Sequence, residues 1–457
     1  MSEILCSVGL DVGTTTTQLI VSEIRAENKA SAFSVPEMEI TGRKICYQSP
    51  VHFTPLLSGE LVDGDKLRTL VNAEYKKAGI TPEMVNTGAV IITGETSRKE
   101  NAAQVLTVLS GLAGEFVVAT AGPDLESVLA AKGAGAPELS RDTGKTVLHM
   151  DIGGGTSNLA LCREGKVVAT GCLNVGGRLM KFTETGEITY ISPVLKSLIP
   201  YRVGDTITQN QAEEVANMLA SVLEMAAFLR EKDARYQKLL TPEAKEIEVT
   251  EKVMLSFSGG VADCIEKDVP WLAYGDLGPL LGKAIRDSKL CQGDYRLGSQ
   301  TIRATVIGAG CHSTQLSGST VFAQNVALPL RNLPVAVVSP QEQEMENLSS
   351  LIRQRLEALE EWGVLALPGW NAPSYHRVTG LADAVSKAVG NRPCYIALQE
   401  DMAKALGHAL ALRLPTGTPC LCVDRVHIPA DSYLDVGSPV GPAISLVVKT
   451  LIYGGSI

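Results

Sequence analysis

The sequence predicts an α/β protein made of two similar lobes followed by a C-terminal α/β module. Three observations predict this fold class. A glycine and threonine turn occurs twice, as DVGTTT at residues 11–16 and as DIGGGT at residues 151–156. Strand-like and helix-like stretches alternate around both copies, and prolines cluster beyond residue 320, where the composition shifts. The chain of 457 residues is long enough for two or three domains with substantial cores.

Each copy of the turn is predicted to form the tip of a β-hairpin, because apolar stretches precede it (residues 8–10 and 147–150) and follow it (residues 19–21 and 159–161). Glycine lets backbone N–H groups approach a phosphate, threonine adds hydroxyl donors, and aspartate can hold a hydrated Mg²⁺. A single turn of this kind is more often an ordinary hairpin. Two copies in matching context favour a polyphosphate clamp.

The duplicated hairpins resemble the two phosphate motifs of the actin, Hsp70 and sugar-kinase ATPase superfamily. That resemblance implies a two-lobed actin-like ATPase with ribonuclease H-like lobes and ATP in the cleft between them. Its further motifs occur in the expected order. They are a connecting segment at residues 90–97 that contains Glu95, a strand at residues 253–257 followed by Gly259 and Gly260, and a second glycine-bearing connection at residues 307–310.

Each of these motifs, taken alone, is weak evidence for the superfamily. The chain has 43 glycines, a Gly-Gly pair after a strand is usually a plain turn, and Glu95 alone would more often be a surface residue. The TGKT run at residues 143–146 is not a P-loop, because the first glycine of that motif would fall on Leu139. Gly308 and Gly310 begin a dinucleotide-binding pattern whose third glycine is missing, so a Rossmann fold is disfavoured.

The composition excludes several classes of function. A net charge of −9 argues against a nucleic-acid partner. The N-terminus has no signal-peptide pattern, and no apolar run approaches the ~18 to 20 residues that span a bilayer, so we expect a cytoplasmic protein with no membrane partner. The ten cysteines are scattered, which predicts reduced thiols. Cys420 and Cys422 lie on one face of a strand, without the neighbours that a zinc site needs.

The predicted ranges are residues 1–145 for lobe I, 146–322 for lobe II and 323–457 for the C-terminal module. Lobe I includes a helix around residues 102–112. Lobe II has a long amphipathic helix at residues 211–230, where Glu213 and Glu214 either border an adenosine pocket or face solvent. The module is predicted to contain a charged helix at 341–362, strands at 394–398, 420–423 and near 444–453, and a helix at 401–412. It has no recognisable catalytic motif.

The residues within these motifs restrict the resemblance to one family of the superfamily. VGLDVGTTTTQ at residues 8–18, TGETSRKENA at 93–102, HMDIGGGTSN at 149–158 and IGAGCHSTQ at 307–315 closely resemble the ethanolamine ammonia-lyase reactivating ATPase family, as do YLDVG at 433–437 and VKTL at 448–451. The resemblance covers essentially the whole chain. It implies a chaperone-like ATPase that uses ATP and Mg²⁺ to release damaged cobalamin from ethanolamine ammonia-lyase, so that intact adenosylcobalamin can bind.

The same resemblance implies site residues. Asp11 and Asp151 would hold the hydrated Mg²⁺, and Glu95 would act with Asp151 in catalysis by orienting the attacking water. The remaining nucleotide contacts would come from Gly13, Thr14, Thr15, Gly153, Gly154, Gly155 and Thr156 at the phosphates, and from Gly259 and Gly260 at the adenosine.

Cobalamin is expected to stay with the client lyase. The Asp-x-His-x-x-Gly motif that ligates cobalt in some enzymes is absent, since none of the six histidines has an aspartate two positions before it. His149 and His312 are therefore interpreted as structural polar residues.

Three alternatives stay open at this point. A small-metabolite kinase would consume ATP only with its hydroxyl substrate, and an exopolyphosphatase would release phosphate from polyphosphate. A nucleotide-dependent scaffold would sediment with nucleotide. The sequence also leaves open a homo-oligomer, an association with a bacterial microcompartment, and the surface that binds the lyase.

Overall fold

The computed structural model describes most of the chain. The described residues are 2–13, 16–28, 38–58, 61–92, 117–120, 123–242, 246–249, 251–298, 303–312, 314–318, 320–359, 361–426, 428, 432–440 and 443–450. Within these residues, no helix is both long enough and apolar enough to cross a membrane.

Lobe I is built on one mixed sheet. Its elements are β1 (Ser2–Val12), β2 (Thr16–Asn28), β3 (Met38–Gln48), β4 (His52–Phe53), β5 (Leu56–Ser58), β6 (Leu61–Val62), α1 (Gly64–Ala78), a 3-10 helix (Pro82–Met84), β7 (Thr87–Ile92) and β8 (Val117–Thr120). The strand order is β3-β2-β1-β7-β8, with β4 beside β2 and with β5 and β6 paired separately. Strand β2 is antiparallel to both of its neighbours, β1 and β3, while β7 and β8 run parallel to β1.

Lobe II repeats this sheet. Its region contains α2 (Pro123–Ala134), α3 (Ala136–Thr143), β9 (Val147–Ile152), β10 (Ser157–Arg163), β11 (Lys166–Leu173), β12 (Met180–Phe182), β13 (Ile188–Ile191), α4 (Pro193–Lys196), α5 (Gln209–Ala226), α6 (Ala234–Leu239), β14 (Met254–Ser258), a 3-10 helix (Ala262–Cys264), α7 (Gly278–Asp287), β15 (Tyr295–Leu297) and α8 (Ala304–His312). The order β11-β10-β9-β14-β15 and the strand directions match lobe I. The repeated topology confirms the predicted two-lobed fold class.

Local sequence explains the main elements of lobe II. Every residue of β9 is buried, as expected for a central strand with a parallel neighbour. Thr208 and Gln211 form a capping box at the start of α5, whose predicted apolar stripe is buried. Gly144, in the TGKT run, takes a left-handed conformation that ends α3, so this run is a turn before β9.

Two helices connect the lobes by crossing at glycines. Helix α2 packs on β10 and β11 of lobe II, although it lies in the range 1–145 predicted for lobe I. Helix α8 packs on β1, β2 and β7 of lobe I, although it lies in the range predicted for lobe II. A Cβ atom added at Gly133 would lie 1.8 Å from the Ala304 carbonyl oxygen, and one at Gly308 would lie 2.0 Å from the Leu129 carbonyl oxygen. The two backbones are therefore in direct contact, which only glycine permits.

The C-terminal module is an eight-stranded mixed sheet with helices. Its elements are β16 (Thr314–Leu316), β17 (Phe322–Gln324), β18 (Leu330–Val337), α9 (Pro340–Gln343), α10 (Leu348–Glu357), β19 (Val364–Leu367), α11 (Tyr375–Val389), β20 (Cys394–Leu398), α12 (Ala403–Ala411), β21 (Cys420–Val423), β22 (Ser432–Val440) and β23 (Ala443–Thr450). The order is β16-β23-β22-β18-β19-β20-β21-β17. Strand β16 joins this sheet although it precedes residue 323.

Both faces of the module's sheet are buried. Along β19, Leu365 and Leu367 belong to the core with α10, α11 and α12, while Val364 and Ala366 belong to the core on the other face. This follows from the two-residue period of a strand. Cys420 and Cys422 lie together on the helix side, as their spacing predicts.

One predicted element of the module was wrong. The charged helix expected over residues 341–362 is two shorter helices, α9 and α10. Ser339 and Glu342 form a capping box around Pro340, and α9 ends within one turn, at Glu344. Charge pattern alone did not show this break. The helix expected around residues 102–112 lies outside the described residues.

The module packs against lobe I. Ala443 at the start of β23 is fully buried in a cluster with Leu5, Ile24 and Ala26 of lobe I. Strand β23 also contacts β8, and β16 contacts β3. The module is thus placed on the lobe that carries the first glycine and threonine turn.

Candidate nucleotide site

The two predicted phosphate turns have the same backbone hydrogen bond. The N–H of Gly13 donates to the Thr16 carbonyl at 2.9 Å, and the N–H of Gly153 donates to the Thr156 carbonyl at 2.9 Å. Each turn closes an antiparallel hairpin, in which Asp11 lies opposite Gln18 and Asp151 lies opposite Asn158. Residues 140 positions apart therefore occupy equivalent places. Thr14 and Thr15, at the tip of the first turn, lie outside the described residues.

The second turn presents backbone donors. Its carbonyl groups at Gly153 and Gly154 accept hydrogen bonds from the N–H groups of Gly177 at 3.0 Å and Arg178 at 2.6 Å. Within the part of the chain that the structure describes, the N–H groups of Gly154, Gly155 and Thr156 have no acceptor. Paired carbonyls next to three available N–H groups form a nest suited to an anion.

Asp151 is buried and held by a chain of polar side chains. The Ser258 hydroxyl donates to the Asp151 carboxylate, and His149 lies between Ser258 (Nε2 to Oγ, 2.9 Å) and Ser256 (Nδ1 to Oγ, 3.1 Å). Because Ser258 gives its only hydroxyl proton to Asp151, Nε2 of His149 must donate to Ser258. Nδ1 then accepts the hydroxyl proton of Ser256.

Burial shifts both titratable groups of this hydrogen-bonded network, Asp151 and His149, toward their neutral forms. It raises the pKa of Asp151 to about 6, against the opposite influence of hydrogen bonds from Ser258 and Thr305. It lowers the pKa of His149 to about 3, so the ring is neutral. This geometry supports a structural role for His149. The side chain of His312 lies outside the described residues.

The first turn is hydrogen-bonded to Thr54, the residue that follows β4. The Thr54 hydroxyl donates to the Gly13 carbonyl at 2.7 Å, and its oxygen lies 3.1 Å from the Thr17 hydroxyl. Asp11, at the end of β1, is half-buried and lies beside Ile91 of the parallel strand β7. The carboxylate predicted to bind Mg²⁺ therefore lies at the same strand end as the turn.

The predicted adenosine turn touches the second phosphate hairpin. Gly259 has a φ angle of +89°, and a Cβ atom there would lie 2.3 Å from the Ile152 carbonyl oxygen. The N–H of Val261 donates to the same oxygen at 3.1 Å. Gly259 is required by both conformation and space, and Gly260 follows it on the surface.

The structure thus brings the predicted site residues of lobe II together and places Asp11 and Gly13 on the equivalent hairpin of lobe I. Helix α8 packs against β1 of lobe I and carries Thr305, whose side chain bonds to Asp151 of lobe II. Glu95, the predicted catalytic residue, lies outside the described residues. Glu213 forms an ion pair with Lys283 of α7 at 2.9 Å, which favours the surface alternative for this residue.

Sequence reasoning missed Arg178 and Asp276, which lie against the second turn. The Arg178 Nε and an Asp276 carboxylate oxygen are 3.2 Å apart. The available signal was the glycine pair before Arg178, because a Cβ atom at Gly176 would lie 2.4 Å from the Gly154 carbonyl oxygen. In a chain with many glycines this pair did not stand out.

Comparison with known proteins shows the family to which this chain belongs. Residues 3–454 match the family model described as ethanolamine utilisation protein EutA. A protein of Salmonella typhimurium LT2 named ethanolamine ammonia-lyase reactivase EutA is 38% identical over 465 residues, which cover 98% of each chain. The protein of the same name from Escherichia coli K12 is 36% identical over 471 residues, again covering 98% of each chain.

Among solved structures, a type II variant of the Aquifex aeolicus Ppx/GppA phosphatase has a TM-score of 0.38 and 11% identity, covering 67% of this chain and 99% of that one. The fold assignment rests on the duplicated strand order rather than on this likeness.

Proposed function

This chain belongs to the EutA family, and we propose that it is an ATP- and Mg²⁺-dependent reactivating chaperone of ethanolamine ammonia-lyase. Its curated relatives are named as reactivases of that lyase. In the proposed reaction, damaged cobalamin leaves the lyase and intact adenosylcobalamin takes its place. The cobalamin is carried by the lyase rather than by this chain.

The observation that carries the nucleotide part of the proposal is the duplicated turn, with the same 2.9 Å hydrogen bond in both copies. The donor chemistry fits a magnesium polyphosphate, because backbone N–H groups suit phosphate oxygens and carboxylates suit a hydrated Mg²⁺. Bound ATP would supply a phosphoanhydride bond whose cleavage changes the occupancy of the cleft.

The proposal gives the predicted residues these roles. Asp11 and Asp151 would hold the hydrated metal, and Glu95 would orient the attacking water. The phosphates would lie on Gly13, Thr14, Thr15, Gly153, Gly154, Gly155 and Thr156, and the adenosine would lie beside Gly259 and Gly260.

The fold suggests how nucleotide state would reach the client. The two turns lie on different lobes, and the lobes are connected by α2 and α8. A ligand shifts such an equilibrium only by its difference in affinity for the two lobe arrangements. Because the C-terminal module packs on lobe I around Ala443, a change of lobe angle would move the module relative to lobe II. One arrangement must bind the open lyase better than the closed lyase.

The direct test is reactivation. Ethanolamine ammonia-lyase is inactivated with cyanocobalamin and then mixed with this protein, Mg-ATP and free adenosylcobalamin. We expect recovery of deaminase activity that requires ATP. Intact ATP hydrolysis without recovery would remove the lyase as the client, whereas absence of both would remove the nucleotide function.

A variant of Glu95 tests the role proposed for this residue in ATP hydrolysis. We expect Glu95→Gln to retain ATP affinity and to lose turnover by about 100-fold or more, because the attacking water loses its orienting base. Glu83→Gln is the matched control, since Glu83 is an exposed carboxylate of lobe I. ATP turnover by Glu95→Gln at the rate of the Glu83→Gln control would contradict the assignment.

A further inference from the structure

We propose that Arg178 is the cation that contacts phosphate at the second turn, and that Asp276 is the positioning residue that holds it there. The proposal rests on the nucleotide function above and adds a charged group to it. The roles assigned so far at this turn use backbone N–H groups, a hydroxyl and a carboxylate, none of which carries a full positive charge.

Arg178 runs along the turn itself. Besides its backbone hydrogen bond to Gly154, its side chain covers the Cα atom of that glycine. A Cβ atom at Gly154 would lie 3.2 Å from Cδ and 3.5 Å from both Cβ and Cγ of Arg178. The side chain is 33% exposed, so it stays accessible to a ligand where it passes the turn.

Asp276 fixes one edge of the guanidinium. Its side chain is 8% exposed, and one carboxylate oxygen accepts the N–H of Gly278 at 2.8 Å while the other faces the Arg178 Nε. Among the described residues, the terminal nitrogens of Arg178 have no acceptor. An arginine bound through Nε keeps both terminal NH₂ groups for a second acceptor, and their planar geometry suits phosphate oxygens.

Glycines allow this close arrangement. A Cβ atom at Gly177 would lie 2.9 Å from the Gly278 Cα atom, so the segment before Arg178 is packed between the turn and the start of α7. The two backbone hydrogen bonds to the turn, the glycine contacts and the ion pair with Asp276 hold Arg178 from three sides. Such preorganisation lowers the entropy cost of binding an anion.

The test compares ligands that differ only in phosphate. Isothermal titration of the full-length protein with Mg-ATP, Mg-ADP and adenosine is carried out on Arg178→Gln, Arg178→Lys and Asp276→Asn. Arg163→Gln is the matched control, because Arg163 is a half-exposed arginine of lobe II that pairs with Glu251 at 2.8 Å, and no role in binding is assigned to it.

We expect Arg178→Gln to raise the Kd of Mg-ATP and Mg-ADP by about 10- to 100-fold, which is the effect of one charge-assisted hydrogen bond. The Kd of adenosine should not change, which also shows that the variant is folded. Arg178→Lys should recover part of the loss because it keeps the charge. Asp276→Asn should raise the Kd of Mg-ATP by about 3- to 10-fold, again without an effect on adenosine.

Wild-type affinity for Mg-ATP in Arg178→Gln would overturn the proposal. An equal loss of affinity for adenosine and for Mg-ATP would also overturn it, because a purely structural arginine affects both ligands. A wild-type protein that binds none of the three ligands would refute the nucleotide function first, and the role of Arg178 with it.

Discussion

The crossing of α2 and α8 gives the sharpest prediction about stability. In Gly308→Ala, the new methyl group would lie 2.0 Å from the Leu129 carbonyl oxygen and 2.5 Å from its carbonyl carbon. Both are backbone atoms, so no side-chain rotation can relieve the clash. The helices would have to separate by about 1.4 Å to restore ordinary contact, which disturbs packing that is close to crystalline density.

The expected change in the unfolding free energy of Gly308→Ala is the sum of two opposing effects. Overpacking of this kind costs about 3 kcal/mol of unfolding free energy, at the upper end of the usual range, because the obstacle is rigid. Alanine in place of glycine inside a helix returns up to about 1 kcal/mol. For a cooperative unit of about 150 to 250 residues, the net loss of about 2 kcal/mol corresponds to a Tm lower by about 4 to 8 °C.

Gly380→Ala is the matched control. Gly380 lies inside α11 and is exposed, and a Cβ atom there would meet no atom within 4 Å. The same substitution should therefore raise Tm by about 2 to 4 °C. Thermal unfolding followed by circular dichroism, without nucleotide, measures both. A Tm for Gly308→Ala equal to or above that of Gly380→Ala would refute the backbone contact between the helices.

Two further predictions test the first turn and the C-terminal module. Thr54→Val removes the hydrogen bond to the Gly13 carbonyl and should raise the Kd of Mg-ATP by about 3- to 10-fold, whereas Thr69→Val, at an exposed position of α1, should not; equal affinities would contradict a role for Thr54. Asp424 is fully buried, and burial raises its pKa. The folded chain therefore binds the proton more tightly than the unfolded chain, and stability is lost as pH rises through the folded pKa. Asp424→Asn should therefore gain stability relative to wild type as pH rises above about 4 in thermal unfolding, and a constant difference would contradict this sign.

The sequence predicted what depends on local pattern and on repetition. The turns at residues 11–16 and 151–156 could be paired from sequence because a hairpin is specified by neighbouring residues. The stripe of α5 was equally visible, since burial on one face leaves a helical period. In both cases the residues that decide the structure lie within one element.

Contacts between distant segments left no such pattern. Gly133 is required because of Ala304, which lies on another helix and far along the chain, and the sequence gives no sign of that partner. Arg178 has the same difficulty, because Asp276, which holds it, follows almost a hundred residues later. The break between α9 and α10 was missed for a different reason: capping by Ser339 ended a helix that the charge pattern allowed to continue.

These distant contacts also determine how the parts of the site relate to one another. The second turn, Ser258 and Arg178 belong to lobe II. The first turn belongs to lobe I, on which the C-terminal module packs. Thr305 is on the helix that packs against lobe I, yet it bonds to Asp151 of lobe II. A change in the position of Asp151 therefore acts on α8 directly, and α8 contacts both β1 and the β16 strand of the module. Helix α8 thus contacts both Asp151, in the candidate nucleotide site, and strand β16 of the module.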